Sequence, residues 1–181
     1  ASVAAVVPLL LAPADRPSPA TWPEPQPGLW NEAIVTQGVR TTEDAPYVLD
    51  TRTLPFDNPY RALMFVGGHD FFANGDVALC TVHGDVWRVS GVDDSLARLT
   101  WKRFATGLFQ PLGLKIVDDH VYVLGRDQIT RLVDVNGDGA ADHYEVFCNR
   151  YPTSAGGHDY STGLEHDKDG NWFYADANLG I

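Results

Sequence analysis

Cysteine is nearly missing: Cys80 and Cys148 are the only two in 181 residues. They form no C-x-x-C pair, which excludes a cysteine-paired zinc site and covalent haem attachment encoded in this chain. Each closes an apolar run, "VALC" and "EVFC". That is the setting of a buried free thiol, with a disulfide between the two as the other reading. Basic runs are missing as well. Lys and Arg number 13 against 24 Asp and Glu, a formal net charge of -11, and no Lys/Arg-rich stretch occurs. A phosphate-backbone partner is excluded on that ground, so no nucleic acid is expected. No apolar stretch is long enough for a bilayer; the most apolar, Ala1–Leu11, is too short to span one. G-x-G-x-x-G, P-loop, nucleophile elbow and H-E-x-x-H are all absent, against nucleotide enzymes and zinc proteases. Helical periodicity is almost absent too. Only "GVDDSLARLTW" would hold a helical turn.

What is present reads as one globular domain behind a tether. Hydrophobic residues make up 44 % of the chain, enough for a sizeable core. Gly 17 and Pro 12 favour turns over long helices. The start, "ASVAAVVPLLLAPA", has two open readings. It is the remainder of a secretory h-region with a small-residue cleavage pattern, or an apolar edge strand at a mature N-terminus. "DRPSPATWPEPQPG", Asp15–Gly28, holds five prolines and reads as an extended linker. Residues 1–28 are therefore an N-terminal segment with a Pro-rich linker, and residues 29–181 are the domain.

The domain breaks into short β-branched and aromatic runs joined by turn signals. "VALCTV" and "DVWRVS" flank His83-Gly84; "LGLKIV" and "HVYVLG" flank Asp118-Asp119. "QITRLVDV" and "HYEVFC" flank an Asn-Gly-Asp-Gly turn, and "TGLEHD" and "NWFYAD" flank Lys168-Asp169-Gly170. Such pairs are hairpins. Three of the hairpin units resemble one another, starting at Gly67, Gly107 and Gly156. A period of roughly forty to fifty residues belongs to β-propeller blades, a generic antiparallel sheet being the plainer alternative. The expected fold is all-β, a partial β-propeller of about three blades. Propellers close with ~4–8 blades, and the chain stops at "ADANLGI", just past a strand. A longer polypeptide, or another protein subunit, is thus expected to supply the rest.

Over roughly Pro46 to Tyr174 the sequence resembles a family of large secreted bacterial propeller proteins. "DVWRVSG", "GLFQPLGLK", "GRDQITRL" and "DVNGDGAAD" carry the resemblance. These proteins are described as membrane-bound dehydrogenases and are related to the glucose/sorbosone quinoprotein (PQQ-type) dehydrogenases. Family members often carry c-type haem domains further along. The resemblance implies an exported protein, periplasmic or extracellular and in some cases membrane-associated. It also implies oxidation of a sugar or alcohol, with electrons passed to haem elsewhere in the parent. A non-catalytic propeller, a scaffold or binding subunit of a larger membrane or electron-transfer assembly, is the alternative. Fold similarity alone does not decide between them.

Two motifs carry candidate chemistry. "DVNGDGAADHYE" sets Asp134, Asn136, Asp138, Gly139 and Glu145 at calcium-loop positions. Its flanks are β-like, so a helix–loop–helix does not fit. A hairpin can still bring Asp134, Asn136, Asp138, Asp142 and the Ala140 carbonyl around calcium, with Glu145 out of reach on the outgoing strand. A metal-free acidic turn is the plain reading, since Asn-Gly and Asp-Gly turn unaided. In "GGHDYSTGLEHDKDGNWFY" the resemblance implies His158 as general base on a substrate hydroxyl, with quinone taking hydride. Asp176 or Asn178 would be its acidic partner, Asn178 being closer in register and weaker. "GGHD" recurs at Gly67–Asp70, so a blade-repeat histidine without catalysis is the plainer reading. For His69-Asp70 a structural role is expected, His bonding a neighbouring strand and Asp capping a turn. Arg126-Asp127 reads as an ion pair, at the surface or between blades, or else as a pocket lining on an inner loop, and Trp87, Trp101 and Trp172 as core between blades.

Overall fold

The structure, a computed structural model, describes residues 30–151, 153–157 and 159–176, together with Glu24 and Gly28. Eleven strands and no helix make up the described chain. They are β1 (Ile34–Thr36), β2 (Val66–Phe71), β3 (Val77–Thr81), β4 (Val86–Ser90) and β5 (Leu99–Ala105) in a first sheet. A second sheet holds β6 (Gly113–Val117), β7 (His120–Leu124), β8 (Ile129–Val133) and β9 (His143–Cys148), and β10 (Ser161–His166) pairs with β11 (Trp172–Asp176). The orders are β1-β5-β4-β3-β2, β6-β7-β8-β9 and β10-β11, all antiparallel, and none of the sheets closes.

The all-β expectation holds, and eight of the strands fall on the quoted runs. The turns explain why. Asp118 and Asp119 both adopt positive φ, 49° and 59°, which closes β6 onto β7 with Val117 opposite His120. This is the two-residue hairpin geometry that Asp tolerates. "GVDDSLARLTW" forms no helical turn. Asp93 instead accepts the Ser95 amide at 2.8 Å, Leu96 takes positive φ, and Leu99 starts β5. An Asp side chain bonded two residues on competes with the helical ladder and wins here.

Strand alternation puts apolar side chains into three layers. Ala78, Cys80, Val86 and Phe104 of the first sheet meet Leu114, Val121, Val123 and Leu132 of the second. Tyr122, Leu124, Ile129 and Cys148 on the second sheet's other face meet Leu164 and Trp172 of the hairpin. On the first sheet's outer face, Leu79, Trp87, Leu99 and Trp101 are roofed by the segment bearing Leu54, Tyr60 and Met64. The Val, Leu, Ile and Phe side chains among these contribute about 1.5–3 kcal/mol each when fully buried. All three tryptophans are buried, but only Trp172 lies between a sheet and its neighbour as expected; Trp87 and Trp101 pack on the first sheet's outer face under the covering segment instead. Cys80 and Cys148 are free and buried in different layers, and burial pushes the Cys80 thiol up to about 12.

The leading strands of the three units lie side by side. A Cβ on Gly68 of β2 would come within 3.1 Å of Gly113 Cα on β6, and one on Gly113 within 3.0 Å of Leu164 N on β10. Bare backbone at these points lets the sheets approach. At the linker boundary, the Gly28 amide donates to Asp138 at 2.8 Å. The apolar start and most of the linker lie outside the described residues. Among those described, no helix is long and apolar enough to cross a membrane.

Candidate functional site

Three loops gather at the end of the sheets where β5 leads into β6 and β9 into β10. Gln110, in the first loop, has a positive φ of 46°, a costly conformation for a residue with a side chain. Its neighbour Phe109 accepts the Arg126 amide at 2.9 Å, which docks the β5–β6 loop on the β7–β8 turn. Tyr151 and Thr153 tie the third loop to the same turn, donating to Gly125 O and Arg126 O, each at 2.8 Å.

Arg126 is the hub. Its Nη1 donates to Gln110 Oε1 at 3.1 Å, and its Nη2 donates to Ser154 O at 3.3 Å and to Gly156 O. The guanidinium lies over the Tyr160 ring, 5.2 Å from its centroid. The expected pairing with Asp127 does not form. A guanidinium with its donors spread over a plane collects carbonyls from another loop more readily than it folds back on its chain neighbour.

Asp159 is buried, 7 % exposed, and accepts the Ser154 amide at 2.6 Å. Its hydrogen bonds with the Ser154 side chain and amide, helped by contact with Asp176 and by the Arg126 charge, hold its carboxyl below the usual range. Asp176, the last residue of β11, hydrogen-bonds Asp159. Of the residues expected at a catalytic site, His158 and Asn178 lie outside the described residues. Asp176 meets the carboxyl of the residue that follows His158 in the chain. Asp159 carries no motif of its own in the sequence; its one signal is the polar "GGHDYS" stretch between two strands.

The acidic hairpin loop lies at the opposite end and turns its oxygens inward. Asp134 accepts the amides of Gly137 and Gly139, both at 2.8 Å. Asn136 accepts the Asp138 amide at 2.9 Å, Asp138 accepts that of Ala140 at 2.9 Å, and Asp142 that of Val135 at 2.8 Å. Burial works against the Asp138 carboxylate, but the Ala140 and Gly28 amides, Asn136 and the Lys102 charge outweigh it and hold its pKa low. Lys102 Nζ also donates to the Asp138 carbonyl, and Ala141 N donates to Phe104 O at 2.8 Å. The loop thereby clasps β5 of the first sheet. Its hard oxygens are the donors calcium takes; among the described residues no three His, Cys, Asp or Glu side chains converge as a metal group. Glu145 pairs with Arg131 at 3.2 Å, away from the loop.

His69 and Asp70 divide their work differently from the expectation. Asp70, rather than His69, reaches the neighbouring sheet, accepting Ile116 N at 2.9 Å and lying 3.4 Å from Lys115 Nζ. Consecutive strand residues point to opposite faces, and register gives Asp70 the face toward β6. Compared with protein-family models, curated proteins and solved structures, the chain gives no match.

Proposed function

We propose that this domain is a run of β-propeller blades in an exported quinoprotein-dehydrogenase-like protein that oxidises a sugar or alcohol hydroxyl. The observation that carries the reading is the Asp159–Asp176 carboxyl pair, at the loop-bearing end beside the chain position of His158. The stacking of two antiparallel sheets and a hairpin through their faces, leading strands adjacent, supports the blade assignment. His158 then removes the hydroxyl proton, while Asp176 orients its imidazole and Asp159 holds Asp176 in place. A bound quinone would supply the hydride acceptor, and haem elsewhere in the parent would take the electrons. The fit to the quinone is incomplete among the described residues. PQQ is a multiply charged anion, and Arg126, the guanidinium that joins the loops at this end, is committed to Gln110, Ser154 and Gly156.

The test is dye reduction by the full-length protein supplied with pyrroloquinoline quinone, calcium and a panel of sugars and alcohols. His158→Gln is expected to lower the rate ~10²–10⁴-fold, and Asp176→Asn to lower kcat with KM little changed. Turnover that survives both substitutions overturns the assignment. Calcium in the 134–142 loop belongs to the same proposal. Calorimetric titration is expected to give a binding heat that Asp138→Ala removes, and a silent titration leaves the loop as a turn.

The second reading, a non-catalytic scaffold, is favoured by the internal commitment of Arg126 and of the acidic loop to their own chain. It predicts no dye reduction under any loading.

A further inference from the structure

On the outer face of the first sheet lies an apolar cavity of about 210 Å³. Leu79, Val89 and Trp101 line it, Phe71 stands beside it 53 % exposed, and Arg52 and His69 are the polar lining groups. Among the described residues none of the lining side chains is acidic. This is unexpected in a chain of net charge -11. Of the acids adjoining lining residues in the chain, Asp70 points to the opposite face, where it bonds Ile116 N and Lys115, and Asp93 is taken by Ser95 and Leu96 of its own turn. Asp50, two residues before Arg52, accepts the Thr41 amide at 3.0 Å and lies 3.9 Å from Arg40. Among the described residues Arg52 has no ion pair or hydrogen bond.

The cavity is built rather than incidental. Its roof, the Arg52–Leu54 stretch, is fixed to the β1 edge on both sides. Thr36 Oγ1 donates to Thr53 O and Thr53 Oγ1 to Gln37 O, each at 2.7 Å, and Val39 bridges Thr51. Trp101 Nε1 donates to Thr36 Oγ1 at 2.8 Å, joining the roof's anchor to the wall. An apolar cavity of about 150 Å³ suffices for benzene, so this one has room for a phenyl ring or short alkyl chain with a terminal group outside.

We propose that this cavity binds a small amphipathic carboxylate, an aryl- or short alkyl-carboxylic acid. Its apolar body lies between Leu79, Val89 and Trp101, and its anionic head is paired with Arg52, with His69 as a second polar contact. The hydrophobic body supplies the drive, and the unpaired guanidinium selects the charge of the head group, a bidentate partner for a carboxylate. The site is separate from the carboxyl pair and does not depend on the enzymatic reading.

The test uses the 181-residue chain, 3-phenylpropionate and its uncharged analogue 3-phenyl-1-propanol. Binding is followed by chemical-shift titration of the Trp101 indole and by fluorescence. Saturable binding of the acid is expected, tighter than that of the alcohol. Arg52→Ala, an exposed change, should weaken the acid about tenfold and leave the alcohol within about twofold. Val66→Trp, which fills the cavity from the edge strand, should abolish both. Equal binding of acid and alcohol with Arg52 intact overturns the proposal, as does unsaturated titration of the acid at millimolar concentration. A concentration-dependent dimer in sedimentation that Val66→Trp dissolves would assign the face to a second copy, and it too overturns the proposal.

Discussion

Gly113 sits where three parts of the molecule touch. An added Cβ would lie 3.0 Å from Leu164 N and 3.1 Å from both Leu124 Cβ and Leu164 Cβ, so backbone would have to yield. Gly75 differs in kind: its φ is 88°, but nothing lies within 4 Å of an added Cβ. Gly113→Ala is expected to destabilise by about 1–3 kcal/mol through overpacking, and Gly75→Ala by about 1–2 kcal/mol through left-handed backbone strain alone. Urea unfolding distinguishes them further. The Gly113 change should also move amide shifts in β10, and the Gly75 change should not. At Asp159 the carboxyl is held low by Ser154, so its stabilising contribution is present above the ordinary aspartate pKa and is lost as pH falls through the depressed value. Asp159→Asn should accordingly flatten the acid limb of the stability profile below about pH 4. An unchanged acid limb would mean that the carboxyl is not engaged in solution.

Between elements, one line of charge crosses the leading strands. Lys115 on β6 lies 3.4 Å from Asp70 on β2 and 2.9 Å from Glu165 on β10. The Glu165 hydrogen bond raises the Lys115 pKa, with burial opposing it and both carboxylates adding to the rise. Glu165 is well exposed, so the pair with it contributes only about 0–1 kcal/mol. The sign is set by the direction of the shift. Stability from a raised lysine pKa is complete below the unfolded value of 10.5 and declines as pH rises beyond it. Tyr151, buried and shifted upward chiefly by burial, acts in the same sense from its ordinary value of 10.0. The melting temperature should therefore fall above about pH 10, and Tyr151→Phe should remove part of that fall at the cost of the 2.8 Å bond to Gly125 O. An alkaline limb identical in Tyr151→Phe would remove Tyr151 as a contributor. Strands β6 to β9 were legible in the sequence because their turns are encoded locally, in Asp118-Asp119 and the Asn-Gly-Asp-Gly loop. β5 was not. Its "LTWKRFA" alternates cleanly enough, but the preceding "DDSLAR" mimics a helix start until Asp93 is seen to bond its own turn. The Arg126 hub was legible only as a charge. Besides the Gln110 side chain, its partners are the carbonyls of Ser154 and Gly156, and backbone acceptors leave no mark on residue identity.

Across the whole molecule, stability is layered by how many faces each sheet covers. β3 is buried along its full length, and β7 along all but His120, because each carries apolar side chains into two of the three layers. The β10–β11 hairpin covers one layer only, through Leu164 and Trp172, and its remaining strand positions include exposed Gly163, Glu165, Ala175 and Asp176. β1 has three residues and one neighbour. Local opening follows buried contact density, so hydrogen exchange should proceed in that order. Amides of β1 and the outer half of the hairpin should exchange first, and those of β3, β4 and β7 only through global unfolding. The Asp138–Gly28 bond and the Lys102 contact predict a further coupling, because the acidic loop of the second sheet grips β5 of the first. Lys102→Met keeps the stem of the side chain but removes the ammonium. It should speed exchange in residues 134–142 and in β5 together, while β7 stays protected. Faster exchange in the loop alone would mean that the two sheets are held by their apolar layer without the clasp.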